Sequence, residues 1–317
     1  MAATGRGIGA GTGWAVLSAA SFGSSGTFGG SLIAAGWSPA LVVLIRIAVG
    51  AALLAVPTVV ALRGRWNLVW AARRMTLLYG VFAVAGAQLF YFNAVQRLSV
   101  GVALMLEYLG AVLVVGWMWA RHGRTPRRMT IVGSALALLG LALVLDLLGG
   151  AHLDPIGVLW GLGAAVGLAV FFVVSAQEQD ALPPVAMAGI GMGVGAVVLL
   201  VFGGIGVLPF ATGASTVVLA GVRMPWMVPI AGLGVIAAAL AYAVGVIAAR
   251  KLGATLASFL GLLEVLFAVL FAWLLLDQLP TGIQIAGGAL IIGGVCLVRV
   301  DELRRGRREL PAVSYVD

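Results

Sequence analysis

The chain has 317 residues, 62% of them hydrophobic and only 9% charged. Soluble domains carry about 25% charged residues, so a water-surrounded globule is excluded and the bilayer is the expected solvent. The net charge of +8 does not point to nucleic acid, because the basic residues sit in short loops between apolar spans; the one cysteine, Cys296, rules out an internal disulfide.

In chain order, residues 1–9 form a short tail with Arg6, too weakly charged and too poor in apolar residues to read as a cleaved signal peptide. Ten apolar spans follow, at 12–32, 39–62, 76–95, 99–120, 129–148, 156–175, 184–208, 226–249, 254–276 and 282–298. A hydrocarbon core needs about 20 apolar residues per helix, and backbone polar groups in lipid must be satisfied within the span. With no alternating strand pattern in view, all ten are expected to be helices. A charged tail closes the chain at 300–317.

The charges set a topology. With a cytoplasmic N-terminus, the inner loops hold Arg63, Arg65, Arg73 and Arg74, then Arg121, Arg124, Arg127 and Arg128, then Arg250 and Lys251. The outer loops hold Arg97 and Arg223. Basic loops stay on the cytoplasmic side, so both termini are expected there. The address is the cytoplasmic membrane.

The spans repeat. Residues 103–119 (ALMLEYLGAVLVVGWMW) align with 257–273 at an offset of about 154. The register continues without a gap: Pro126 meets Pro280, Gly133 meets Gly287, Gly140 meets Gly294 and Val144 meets Val298. Trp14 meets Trp160 at an offset of about 146. Spans one to five thus match spans six to ten. Five is odd, so the second copy enters from the opposite side. The expected fold is an all-α integral membrane protein with ten transmembrane helices as two inverted five-helix repeats. The first repeat occupies 1–148, the second 156–299 and a cytoplasmic tail 300–317. Inverted repeats characterise secondary transporters, whose substrate sites lie near the midplane at the repeat interface.

Polar residues inside the spans are the candidate site. Glu107 lies in the fourth span and Glu264 at the centre of the ninth. A charge there costs about 2.5–3.5 kcal/mol on insertion scales and marks a polar pathway by default. In the ninth span Ala257, Gly261, Glu264, Ala268 and Ala272 share one face, which directs the acid toward other helices or a cavity. Either acid serves a substrate amine or a proton, or else fixes helix packing. Arg46 in the second span binds a carboxylate or pairs with Glu107, or else snorkels to headgroups. Gln88, Tyr91 and Asn93 in the third span are substrate contacts or interhelical hydrogen-bonding groups. Trp14 and Trp160 suit interface anchors, Tyr242 is deeper and suits a pocket, and Ser18, Ser21 and Ser25 make a polar stripe on the first span.

Enzyme signatures are missing. His122 and His152 lie in loops, and GMGVG at 191–195 lies inside a span with no strand before it. Neither a cofactor nor a metal is expected.

The ten spans, the five-plus-five repeat and several short motifs resemble the drug/metabolite transporter superfamily, in particular its EamA-type members. Arg46 matches the family's second-helix arginine. LEYLG at 106–110 is similar to its fourth-helix Leu-Glu-Phe/Tyr-Leu pattern. Leu263 and Glu264 match its ninth-helix Leu-Glu-Pro, with Val265 in place of the proline and Asp277–Gln278 in place of a later Gly-Glu. RTP at 124–126 and DQLP at 277–280 precede the last helix of each repeat. The resemblance implies export of a small metabolite, an amino acid or related amine, by alternating access. The substrate is a small molecule and the partner a lipid bilayer; the glycine-rich spans permit a homodimer without requiring one. The competing readings are an importer, a flippase for a lipid-like or drug-like substrate, and a non-transporting membrane protein.

Overall fold

The computed structural model describes residues 2–98, 100–123, 125–145, 154–177, 182–276 and 279–308. Arg124, His152, Asp277, Gln278 and the tail beyond residue 308 lie outside them. Besides a short turn of helix at Asn67–Ala71, the helices are α1 (Ala2–Gly23), α2 (Ser25–Ala34), α3 (Pro39–Ala61), α4 (Arg73–Ala94), α5 (Val102–Arg121), α6 (Arg128–Val144), α7 (Pro155–Ser175), α8 (Pro184–Gly204), α9 (Met227–Leu252), α10 (Ala254–Leu275) and α11 (Gly282–Arg308).

Eight of these, α3–α5 and α7–α11, are long and apolar enough to cross a membrane. The surface is apolar: Val56, Leu159 and Val197 are 70%, 69% and 60% exposed. The interior mixes alanines and large apolar side chains such as Tyr79, Phe259 and Met192 with a few polar ones, including Ser18, Ser175, Ser258 and Arg46. A surface this rich in large apolar groups is stable in lipid and not in water. The chain is a multi-pass membrane protein.

The other two expected spans take other forms. The first is two helices, α1 and α2, joined at Ser24, whose hydroxyl donates to the Ser21 carbonyl at 2.7 Å. Serine hydroxyls compete for helix carbonyls, and the flanking GSSG sequence gives the helix little side-chain support. The fifth is the 17-residue α6, and the residues just beyond it are not described.

Helix starts follow local chemistry. Asp154 caps α7, accepting from the amides of Ile156 at 2.7 Å and Gly157 at 3.0 Å, with Pro155 in the first turn. Ser38 caps α3 in the same way ahead of Pro39. A single residue, Gly253, turns the chain from α9 into α10 at φ +78°, a conformation that excludes most side chains.

The helix-only expectation fails in one connection. Thr216–Leu219 and Val222–Pro225 form an antiparallel hairpin. Ala220 and Gly221 turn it with φ of +52° and +74°, the positive-φ geometry that matches strand twist. Val217 and Leu219 face inward and Val218 outward. The preceding segment ties this connection to the α2–α3 corner. The Trp37 indole donates to the Ala214 carbonyl at 3.2 Å, and the Ala214 amide donates to the Ala35 carbonyl at 2.8 Å.

The tightest helix pair is α6 with α11. A Cβ on Gly133 would meet the Gly294 carbonyl at 2.7 Å, and one on Gly140 the Gly287 carbonyl at 2.5 Å. Under the 154-residue offset Gly133 corresponds to Gly287 and Gly140 to Gly294. Each glycine therefore faces the counterpart of the other, so the two helices cross antiparallel. At the end of this pair the Thr130 hydroxyl donates to Asp301 at 2.6 Å, and Arg127 lies 3.8 Å from the same carboxylate.

Two further irregularities recur in both halves. The third helix of each, α4 and α9, contains a π-helical stretch, Tyr79–Gly86 and Val235–Leu240. The fourth, α5 and α10, breaks at Leu109 and Leu262. There the Leu109 amide reaches Leu106 at 3.1 Å and the Leu262 amide reaches Phe259 at 3.2 Å, tightened turns without any proline.

Candidate transport cavity

A cavity of about 620 Å³ lies between α1–α5 and α7, α9 and α10. Arg46, Gln88, Tyr91, Glu107, Tyr242 and Glu264 all line it. Asn93 does not. It lines a separate recess of about 240 Å³, and its amide donates to the Leu89 carbonyl of its own helix at 2.8 Å.

The helix breaks bring the acids in. Glu107 lies two residues before the break in α5, and Glu264 two residues after the break in α10. Irregular backbone at membrane depth is tolerated where it lines a cavity or is covered by protein. The symmetry-related glycines part company. Gly261 lines the cavity, whereas Gly110 packs on the Ala165 carbonyl, where a Cβ would come within 2.8 Å.

Arg46 is 7% exposed and does not snorkel. Its Nη1 donates to Ser25 at 3.0 Å and its Nη2 to the Ala237 carbonyl at 2.8 Å, inside the π-helical stretch of α9. The guanidinium stands 5.8 Å from the Phe22 ring centroid, within cation–π range. Its Nε is buried without a hydrogen-bond partner. A buried donor left open costs about 1–3 kcal/mol, and more for a charged group. Its hydrogen bonds go to Ser25 and Ala237, while Glu107 shares the cavity with it.

Aromatic rings form one wall. Phe22 packs edge-on against Tyr242 at 5.0 Å, Tyr242 against Phe171 at 5.7 Å, and Phe171 against Phe172 at 5.0 Å. Tyr108 lies beside Glu264 and also faces the cavity. Ser18 donates to the Ala241 carbonyl at 2.9 Å, and Ser25 is the ligand of Arg46. Trp160 stacks on Phe90 at 5.7 Å, and Trp14 is 37% exposed.

Sequence reasoning missed Phe22, Phe171, Phe172 and Tyr108 as cavity residues. Phe22 had a signal, since it shares a helix face with Ser18 and Ser25. Tyr108 had one in the LEYLG motif. Phe171 and Phe172 had none, being two apolar residues in an apolar run.

Glu264 also borders a second cavity of about 460 Å³. Leu104, Tyr108, Glu264 and Ala268 line both, so they form the partition between them. Among the described residues no cluster of three or more His, Cys, Asp or Glu is placed to hold a metal.

The model of the EamA-like transporter family matches residues 9–146 and again residues 155–300. The chain belongs to this family. The EamA-like match is double, so the chain carries two copies of the family's repeat. An "Uncharacterized transporter" from Archaeoglobus fulgidus (strain ATCC 49558 / DSM 4304 / JCM 9628 / NBRC 100126 / VC-16) is 27% identical over 207 residues, covering 65% of this chain and 70% of that protein. A solved crystal structure of a protein at 20% identity superposes with a TM-score of 0.72, covering 94% of this chain and 98% of that one, a likeness of fold. Membership in a transporter family makes this EamA-like chain a membrane transport protein.

Proposed function

We propose that the protein is a secondary or facilitative transporter that exports amino acids or related amines across the cytoplasmic membrane by alternating access. One observation carries the reading: a buried arginine with an unpartnered Nε lines the same cavity as two acids. A substrate carboxylate would satisfy that open donor with a charge-assisted bond. A substrate ammonium would be taken by Glu107 or Glu264. Two carboxyl groups share the cavity with one guanidinium, so with both ionised one negative charge is left for an amine or a proton to balance. A lone charge in a low-dielectric site is costly, which ties occupancy to that compensation.

Ten spans in two inverted repeats, with repeats at 1–148 and 156–299 and a cytoplasmic tail at 300–317, are part of this reading. The reciprocal glycine pairing of α6 and α11 supports it. So do the paired breaks in α5 and α10 and the paired π-helical stretches in α4 and α9. Both termini are cytoplasmic on the charge rule. The protein is not an enzyme and works without cofactor or metal; two copies can pair through glycine-lined faces.

The test is counterflow of labelled amino acids and amines in proteoliposomes, with and without a pH gradient. Saturable exchange lost in Glu107→Gln and Arg46→Ala is expected. Exchange kinetics untouched by both substitutions would sink the assignment of the site.

A further inference from the structure

The second cavity is lined by Leu104 and Tyr108 of α5, Leu145 after α6, Glu264, Val265, Ala268, Val269 and Ala272 of α10, Leu279 ahead of α11 and Gln284 in its first turn. Apart from the carboxyl, the Tyr108 hydroxyl and the Gln284 amide, these side chains are apolar. The Gln284 side chain is engaged, accepting from the Thr281 amide at 2.9 Å and donating to the Val144 carbonyl at 3.3 Å. The segment of α10 beyond its break packs chiefly on α1 and touches α11 sparingly, which leaves the gap. On this face of α10, Glu264, Ala268 and Ala272 succeed one another by single turns, and the alanines keep the floor low. At 1.5 Å per residue the groove runs about 12 Å along the helix, with a carboxyl at its inner end. At its outer end the lining residue Leu279, between α10 and α11, is 73% exposed, and Trp273 and Leu274 beside it on α10 are 43% and 63% exposed. In a multi-pass protein those surroundings are lipid or its interface.

We infer that this cavity is a lateral entrance that takes an amphipathic amine from the membrane, seating its ammonium on Glu264 and its apolar chain along Ala268, Ala272, Val269 and Leu145. Charge decides the head group, because an acid at the end of an apolar groove is complementary to a cation and repels a fatty carboxylate or a phosphate. Apolar walls decide the tail, since each buried methylene contributes about 0.8 kcal/mol when it leaves water. Once seated, the ammonium lies at the partition and meets the main cavity through Glu264 and Tyr108. The inference deepens the transport reading by adding a membrane-side route to one of its acids, and it is testable by binding alone.

The experiment is photolabelling of the full chain in nanodiscs with a long-chain alkylamine carrying a diazirine in its tail, followed by mass-spectrometric mapping. Label is expected at Leu145, Val269 or Leu279 and displaced by excess dodecylamine. It falls about tenfold or more in Glu264→Gln, as loss of a buried charge partner requires. Ala272→Leu, which fills the groove without touching the acid, gives the same loss, and Leu200→Ala on a distant exposed face gives none. Label spread over exposed faces, label at Arg46 or Tyr91, or label undiminished in Ala272→Leu overturns the inference. Mapped label without small-substrate exchange defeats the transport reading and leaves the entrance standing; exchange without mapped label does the reverse.

Discussion

At the scale of single residues, Arg46 holds two partners in two directions, Ser25 on α2 and Ala237 on α9. Lysine cannot keep both bonds and an open donor in one plane. A hydrogen bond to a charged group contributes about 1.5–3 kcal/mol, so Arg46→Lys is expected to lower exchange of carboxylate-bearing substrates about tenfold or more and to spare simple amines. Substrate-by-substrate counterflow measures the difference. Asp154 makes a pH prediction outside the spans. The amides of Gly157 and Ile156, with Arg97 at 3.6 Å, hold its carboxyl below the usual aspartate range. Its folded pKa is depressed, so its stabilisation is present above the unfolded value of about 3.9 and disappears as pH falls through the lower folded value. Thermal melts of wild type and Asp154→Ala in detergent should differ at pH 6 and converge in strong acid (values on the aspartate scale). Glu107 and Glu264 were legible as candidates because an acid in a long apolar run has few structural uses. Asn93 carried the same polar signal, but its amide is spent on its own helix.

At the scale of helices, packing rests on glycines whose positions are not interchangeable. Gly140 has no room for a side chain against the Gly287 carbonyl, whereas nothing lies within 4 Å of a Cβ on Gly193. Gly140→Val should force α6 and α11 apart and destabilise by about 1–3 kcal/mol. Gly193→Ala should be neutral or gain about 0.4–1 kcal/mol by restricting the unfolded chain. Melting temperatures in one detergent compare them, and equal losses would contradict the packing account. The 154-residue offset paired these glycines with their counterparts, yet it could not say that counterparts would meet. The breaks at Leu109 and Leu262 were illegible for a plain reason. No proline stands at either turn, and the glycines beside them, Gly110 and Gly261, are not distinguished in sequence from the many other glycines of the spans.

At the scale of the whole molecule, the charge pattern predicts sidedness. In a Cys296→Ser background, a cysteine replacing Ala220 at the hairpin tip should react with an impermeant maleimide in intact cells. One replacing Arg65 should react only after permeabilisation. Labelling of both from the same side would break the inverted arrangement. The hairpin also shows how far pattern reading reaches. Four residues of strand in a connection of mixed composition carry too short an alternation to separate from loop, and their pairing depends on a turn at Ala220–Gly221 and on the anchoring of Trp37 to Ala214.

Membrane residence, the repeat, the glycine register and the polar residues inside the spans were determined by the sequence alone. All of these follow from composition and period, which act locally or at a fixed offset. The tertiary structure decided which polar residues share a cavity, which atoms of Arg46 stay open, and that Glu264 borders two cavities at once. Those facts depend on where helices bend and on which turn of one meets which turn of another. In lipid that outcome is settled by close packing of small residues and by hydrogen bonds between distant carbonyls and hydroxyls, neither of which leaves a period in the chain.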